Sequence, residues 1–386
     1  MKSFFVIIAT IAVTNAFTAA YAEPIDFFKP TFEESDKDFD AIFTGIKAKN
    51  PKAEVYQFLY PQGNIKSYFI PAEGTQKNML VMVSGVHGIE GFTGSAVQRY
   101  LLSNGLNVHN TAILMIHGFN QWGFKKFRRV NENNIDLNRN FILDRNHFRP
   151  DDSSYAMLND FINPTGAPSE NLLGHGLFLL KAVYKIARYS IEPLRSSILR
   201  GQYSFEKGLF YGGKEPQEQQ LMIQQLISKY FKPYKKVVLI DLHTGYGQRG
   251  KLHLLAGKSA DPNSVELRKI FFEKDIDFAD KKHFYAVQGE MITYFAEQIF
   301  ESTRADVVGV TFEYGTLDSQ KTTGSIESLR RMILENQAYH NPGSPDLKKI
   351  ENLFKEMFYP SDHQWRARVL TQTDEKMQRV ISYLNQ

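Results

Sequence analysis

The sequence predicts an α/β fold, a sheet covered by helices on both faces. Three observations carry that expectation. Short apolar runs bounded by Gly, Pro or charge recur along the 386 residues, and most lack the polar alternation of a strand with one wet face. Segments with apolar residues at helical spacing lie between those runs. No tract rich in Pro, Gly or Ser divides the chain beyond residue 22, so residues 23–386 read as a single domain.

The chain opens with MKSFFVIIATIAVTNAFTAAYAEP. Lys2 gives a positive start, about 14 mostly apolar residues follow, and Ala20-Tyr21-Ala22 has the small-x-small form of a cleavage site. The apolar run is shorter than the roughly 20 residues that a spanning helix needs. Residues 1–22 are therefore expected to be a signal peptide cut after Ala22, with the mature protein periplasmic or secreted and free of the membrane. There is no cysteine, so disulfides are not available and stability must come from packing. With 30 Phe and 19 Tyr the chain can build a substantial core. A net charge of +4, spread evenly, argues against nucleic acid or an anionic membrane as partner.

Seven runs read as strands: AEVYQFLY (53–60), KSYFI (66–70), NMLVMVSG (78–85), TAILMIH (111–117), KVVLIDL (236–242), LHLLAG (252–257) and VVGVTFEYG (307–315). Helical spacing marks GFTGSAVQRYLLSN (91–104), the stretches 171–201 and 215–232 in the middle, and 324–341 and 345–359 near the end. Residues 144–235 read as a helical insertion within the domain.

In open α/β sheets ligands gather beyond the carboxyl ends of the strands. His87 and Glu90 sit just past one such end, and two other runs finish in Asp241-Leu242-His243 and Glu313-Tyr314-Gly315. If these strands are parallel, His87, Glu90, His243 and Glu313 share one rim. His-x-x-Glu alone is a common chance pattern and suits a solvated turn equally well. A second His at the same rim changes the balance, because two His and one carboxylate with a position left for water make a catalytic rather than a structural zinc site. His109, His147, His175, His253, His283, His340 and His363 lack that context and read as surface or structural groups. The stretch RRVNENNIDLNRNF (128–141) is polar and Asn-rich, poor material for packing. Its Asn138 and Arg139 offer an amide beside a planar fork, a pair suited to gripping a carboxylate.

HGIE, RRVNENNIDLNRNF, DLHTG and FEYG stand in the order found in the zinc carboxypeptidase (funnelin) superfamily, and the chain resembles that superfamily over nearly all of its length beyond residue 22. The wording GLFYGG at 208–213 resembles a domain-of-unknown-function branch of it. The resemblance implies a mixed, mostly parallel twisted sheet of about eight strands with helices on both faces. It also implies one Zn2+ held by His87, Glu90 and His243, with Asp136 fixing the His87 tautomer. Arg129 then corresponds to the arginine that stabilises the oxyanion, Asn138 and Arg139 to the pair that binds a terminal carboxylate, and Glu313 to the general base. A substrate-capping tyrosine has no motif match here; Tyr285 and Tyr294 are the candidates. The segment GQYSFEKGLFYGGKEP (201–216) suits a loop over a pocket, with Tyr211 and Gly212-Gly213 as expected substrate contacts.

The implied activity is zinc-dependent hydrolysis of amide bonds next to a free carboxylate, foremost as a metallocarboxypeptidase acting on peptides or peptidoglycan stem peptides. An N-acyl amino-acid deacylase of the desuccinylase or aspartoacylase type shares similar motifs and is the alternative. A catalytically silent periplasmic binding protein is the third reading.

Overall fold

The computed structural model of the protein describes residues 24–386 apart from 75, 76, 107, 109, 191–197 and 281–286. The expected signal peptide, His109, His283 and Tyr285 lie outside the described residues.

Eight strands form one sheet: β1 (Glu54–Tyr60), β2 (Gly63–Ile70), β3 (Asn78–Ser84), β4 (Thr111–His117), β5 (Lys236–Gly245), β6 (Leu252–Ala256), β7 (Ile276–Phe278) and β8 (Asp306–Gly315). Their spatial order is β1-β2-β4-β3-β5-β8-β6-β7. The pairings β3–β4, β3–β5, β5–β8 and β6–β7 are parallel, and β1–β2, β2–β4 and β6–β8 are antiparallel. The sheet is therefore mixed, with a parallel centre. Among the described residues, the helices of nine residues or more are α1 (Phe32–Lys49), α2 (Gly91–Asn104), α3 (Leu172–Tyr189), α4 (Glu218–Leu226), α5 (Pro262–Ile270), α6 (Met291–Thr303), α7 (Thr322–His340), α8 (Leu347–Phe358) and α9 (His363–Leu384).

Both faces of the sheet are covered, which is why its central strands carry no polar alternation. Along β3, Leu80 and Met82 join a cluster with Phe39 of α1, Phe92 of α2 and Trp365 of α9. Met79, Val81 and Val83 face the other way, toward Met222 and Leu226 of α4 and Phe295 and Ile299 of α6. Placed within the insertion by the sequence, α4 is thus one of the sheet's own covering helices. Residues 155–162 of the insertion, in short helices at Ser153–Ala156 and Asn159–Ile162, pack instead on α7 and α8 through Tyr155, Leu158, Ile162, Met332 and Phe358. Among its described residues α3 fully buries Ala182 alone and leaves Leu172 92%, Leu173 72% and Leu180 69% exposed. No helix among the described residues is long and apolar enough to cross a membrane.

His117, at the end of β4, is a buried residue that the sequence reading passed over. Its ring stacks 5.6 Å from Phe32 and lies 4.9 Å from Phe39 and 5.8 Å from Phe124, and neither ring nitrogen has a hydrogen-bond partner. Burial pushes its pKa well below the usual histidine value, with the Arg99 and Lys66 charges adding to the effect. The unfolded chain then binds a proton that the folded chain refuses, so this histidine favours folding above about pH 6.5 and disfavours it as pH falls below that. His117→Phe keeps the ring stack and removes the titration. Its stability is expected to fall less steeply with acid than that of wild type, by up to about 1.4 kcal/mol per pH unit. Parallel acid limbs in urea unfolding of the two proteins would refute this.

Candidate metal centre

The strand period of two builds the site. On β5, Val237 and Leu239 face the α4 and α6 side of the sheet, so Asp241 and His243 continue the same row. On β8, Val310 and Phe312 face the opposite layer, which leaves Glu313 on the face of His243. The parallel register sets His243 directly beside Glu313. His87 and Glu90 arrive from the end of β3, Glu90 in a single 3-10 turn (Gly88–Glu90) that leads into α2. Gly88 is required between them, because a Cβ there would stand 2.1 Å from the carbonyl carbon of Gly123. Backbone bonds from Gly88 N–H to Arg129 O (3.1 Å) and from Ile89 N–H to Arg128 O (2.9 Å) pin the turn to the Asn-rich loop.

His87, Glu90 and His243 are all buried, and one donor atom from each lies within 4.8 Å of the others. Both imidazoles turn Nδ1 inward: Glu90 Oε1 is 2.9 Å from His87 Nδ1, and Glu90 Oε2 is 2.8 Å from His243 Nδ1. The two Nδ1 atoms are 3.1 Å apart. Behind them, Asp136 Oδ1 takes His87 Nε2 at 3.1 Å and Asp241 Oδ2 takes His243 Nε2 at 2.7 Å. Each ring is thus held in one orientation by a carboxylate, the arrangement that metal-ligating histidines use. The electrostatics match a site for a cation. Burial alone would raise the Glu90 carboxyl, but His87 and His243 hold it far below the carboxylate range. Burial alone would lower His243, but Asp241 and Glu90 raise it well above the usual value. A set of two imidazole nitrogens and a carboxylate, with no competing lysine in it, is a metal-binding donor set.

Asp241 was missed as a positioning residue, although the signal was present: two residues before His243 on a strand means the same face. Asp241→Asn is expected to lower metal affinity about 10–100-fold while the protein stays folded. Competition against a chromophoric chelator measures it, and unchanged affinity would remove Asp241 from that role.

The remaining site residues gather around this group. Arg129 bridges it, with Nη1 donating to Glu90 Oε1 (3.0 Å) and Nε to Asp136 Oδ2 (3.1 Å). Asp136 is buried, which would raise its carboxyl, yet Arg129, His87 and Arg139 hold it well below the usual range. Glu313 accepts the Tyr246 N–H at 2.8 Å, and burial together with the Glu90 charge pushes its carboxyl up to about 8. Asn138 and Arg139 line the same cavity. Asn138 Oδ1 accepts the Met291 N–H (2.8 Å), and Arg139 donates through Nε and Nη2 to Leu199 O (3.1 and 2.8 Å) and through Nη1 to Asn138 O (2.9 Å). Most other Asn of that loop are structural: Asn134 Nδ2 donates to Glu206 O and Gly208 O, and Asn140 Nδ2 to Gly212 O and Glu215 O.

The loop at 201–216 does pack over this region, but the expectation for Tyr211 needs correction. Its side chain is buried in the cluster under the sheet with Phe119 and Ile135, and its carbonyl accepts the Asp136 N–H at 2.8 Å. Phe210, held at φ 56°, reaches the cavity instead, its ring 5.5 Å from the Arg129 guanidinium and 5.6 Å from that of Arg139. Tyr294 is buried against Phe141, at 5.3 Å between rings, and does not line the cavity. His253 is a satisfied structural group, bonded to Asp277 (2.7 Å) and to the Gln248 N–H (3.0 Å). Glu290, which the sequence reading left unremarked, lines the cavity, and burial raises its carboxyl against the pull of Arg139.

Several solved structures are similar to the chain. Carboxypeptidase A from Helicoverpa armigera matches at 12% identity over 87% of this chain and 75% of that one, with a TM-score of 0.41. Bovine thrombin-activatable fibrinolysis inhibitor matches at 14% over 88% and 97%, TM-score 0.41. Succinylglutamate desuccinylase from Chromobacterium violaceum matches at 12% over 83% and 74%, TM-score 0.36. No curated protein matches the sequence. Residues 46–372 match the family model described as "Protein of unknown function (DUF2817)", so this chain, with its buried His-Glu-His group at the rim of a mixed sheet, belongs to that family.

Proposed function

We propose that the protein is a zinc-dependent hydrolase of amide bonds next to a free carboxylate, a metallocarboxypeptidase or an N-acyl amino-acid deacylase. The observation that carries this reading is the convergence of His87, Glu90 and His243 beside Glu313 and Arg129 in one cavity. His87, Glu90 and His243 would hold a single zinc, which when bound would supply Lewis-acid polarisation of the carbonyl and acidify water. Glu313 takes a proton from the attacking water and delivers it to the nitrogen of the breaking C–N bond. Burial and the Glu90 charge raise that carboxyl, the direction that helps a carboxylate take up a proton and hold it for delivery. Arg129 spends two N–H groups on Asp136 and Glu90, and its remaining ones serve the oxygen on which charge develops. Arg139 spends three of its N–H groups on backbone carbonyls. Its other N–H groups and the Asn138 amide are the donors for a substrate carboxylate.

The test is mass spectrometry of products from zinc-loaded protein offered peptides with free or amidated C-termini alongside N-acyl amino acids. Chelator-sensitive loss of single residues from free C-termini alone supports the carboxypeptidase. Acyl release with the peptides untouched makes the enzyme a deacylase, a reading favoured by the apolar side chains that also line the cavity, Leu158, Phe161 and Phe178 among them. Binding without hydrolysis of anything in the panel leaves the silent binding protein. The leader-like residues 1–22 support export to the periplasm or beyond. A periplasmic extract yielding protein that starts at Glu23 is the expected result, and an intact N-terminus would overturn it.

A further inference from the structure

The cavity of about 290 Å³ that holds the metal group is two-ended in its chemistry. At the sheet it is lined by His87, Glu90, Arg129, Asn138, His243 and Glu313. Away from the sheet its walls are apolar side chains from separate elements: Leu158 and Phe161 of the insertion, Phe178, Ala182 and Ile186 of α3, and Leu329 and Met332 of α7, while Phe358 of α8 lines it against Gly245 at the end of β5. Phe161 and Phe178 stack at 5.4 Å and close part of that wall. The apolar end is built onto the polar end. Leu199, another lining residue, gives its carbonyl to both Nε and Nη2 of Arg139, and Tyr203 donates its hydroxyl to Arg139 O at 2.7 Å.

A peptide chain leaving a scissile bond carries an amide N–H and C=O at every residue, and each must find a partner when it is desolvated. The apolar end of the cavity offers few such partners; Lys185, Ser325 and Ser328 are the polar residues that α3 and α7 contribute to the lining. A saturated chain needs none and gains from leaving water. We propose that the substrate is an amphiphile, a medium- or long-chain fatty acyl group amide-bonded to a carboxylate-bearing amino acid, with the acyl chain in the apolar end. This rests on the hydrolase reading above and names the acyl side of its substrate. Water adds across the amide, the C–N bond breaks, and the products are the free fatty acid and the amino acid.

The experiment pairs turnover with binding. N-acyl derivatives of one amino acid, with acyl chains of increasing length, are offered to the zinc-loaded protein beside blocked dipeptides of matched length. The same series is titrated calorimetrically into Glu313→Gln protein. Both kcat/KM and affinity are expected to rise by roughly fourfold per methylene, the gain from burying one CH2, until the cavity is filled. Ala182→Phe, which intrudes on the α3 wall, is expected to move the optimum to shorter chains. A profile flat with chain length, or blocked dipeptides preferred over the matched acyl chains, overturns the amphiphile while the hydrolase stands. Affinity that rises with length but no hydrolysis of any substrate overturns the hydrolase reading, and with it the products named here, while leaving the apolar chain as the bound group. No binding and no hydrolysis overturns both.

Discussion

Glu313→Gln is expected to bind zinc as wild type does and to lose turnover by on the order of 10²–10⁴-fold, the usual worth of a positioned general base. Glu313 stands outside the group of three donors, so the exchange leaves the ligands in place. The amide oxygen of a glutamine can still accept the Tyr246 N–H that Glu313 accepts at 2.8 Å, so the β5–β8 rim should hold its shape. What is lost is the ability to carry a proton. Zinc content by plasma mass spectrometry, read beside kcat on the substrate found active, checks both halves. Retained turnover removes Glu313 from the mechanism, and loss of zinc makes it a metal residue instead.

Removing the metal should be the second large effect. Chelation is expected to abolish turnover and to lower the melting temperature, with both restored by added zinc. A ligand bound only to the folded state adds about 2.7 kcal/mol of stability at a hundredfold excess over its Kd. His243→Ala should do more than chelation does. It takes away the imidazole that stands between Glu90 and Asp241, whose side chains are both about 1% exposed, and leaves Asp241 buried without its partner while Glu90 keeps His87 and Arg129. Breaking buried pairs of this kind costs about 3–5 kcal/mol. Calorimetric melts of wild type with and without chelator, and of His243→Ala, separate the two contributions. Full turnover and an unchanged melt after chelation would exclude a catalytic metal.

Much of this site was legible because it follows the strand period. The run TAILMIH became β4 over the same residues, and the ends of β3, β5 and β8 carried their polar residues to one rim because those strands are neighbours, parallel through β5. What was missed has physical reasons. With three residues, β7 is too short to show a pattern. Tyr211 read as a substrate contact of its loop, but Phe210 takes a left-handed backbone conformation at φ 56° that sends consecutive side chains to unexpected sides. The asparagines at 134 and 140 read as part of a recognition loop, whereas their amides are consumed in bracing 206–215. The apolar cavity was invisible because its walls come from segments more than 190 residues apart in the chain, Leu158 to Phe358.

Asp136 carries a consequence for how the two halves of the site communicate. Its Oδ1 meets His87 Nε2 and the Asn138 N–H, and its Oδ2 meets Arg129 Nε. A single carboxylate therefore orients His87, Arg129 and Asn138, which under the proposed function are a metal ligand, the oxyanion arginine and the first residue of the carboxylate grip. Whatever freedom metal binding removes from Asp136 no longer has to be removed when substrate arrives. Linkage then makes the effect mutual: zinc raises the affinity for the substrate's carboxylate, and a substrate-like carboxylate raises the affinity for zinc by the same factor.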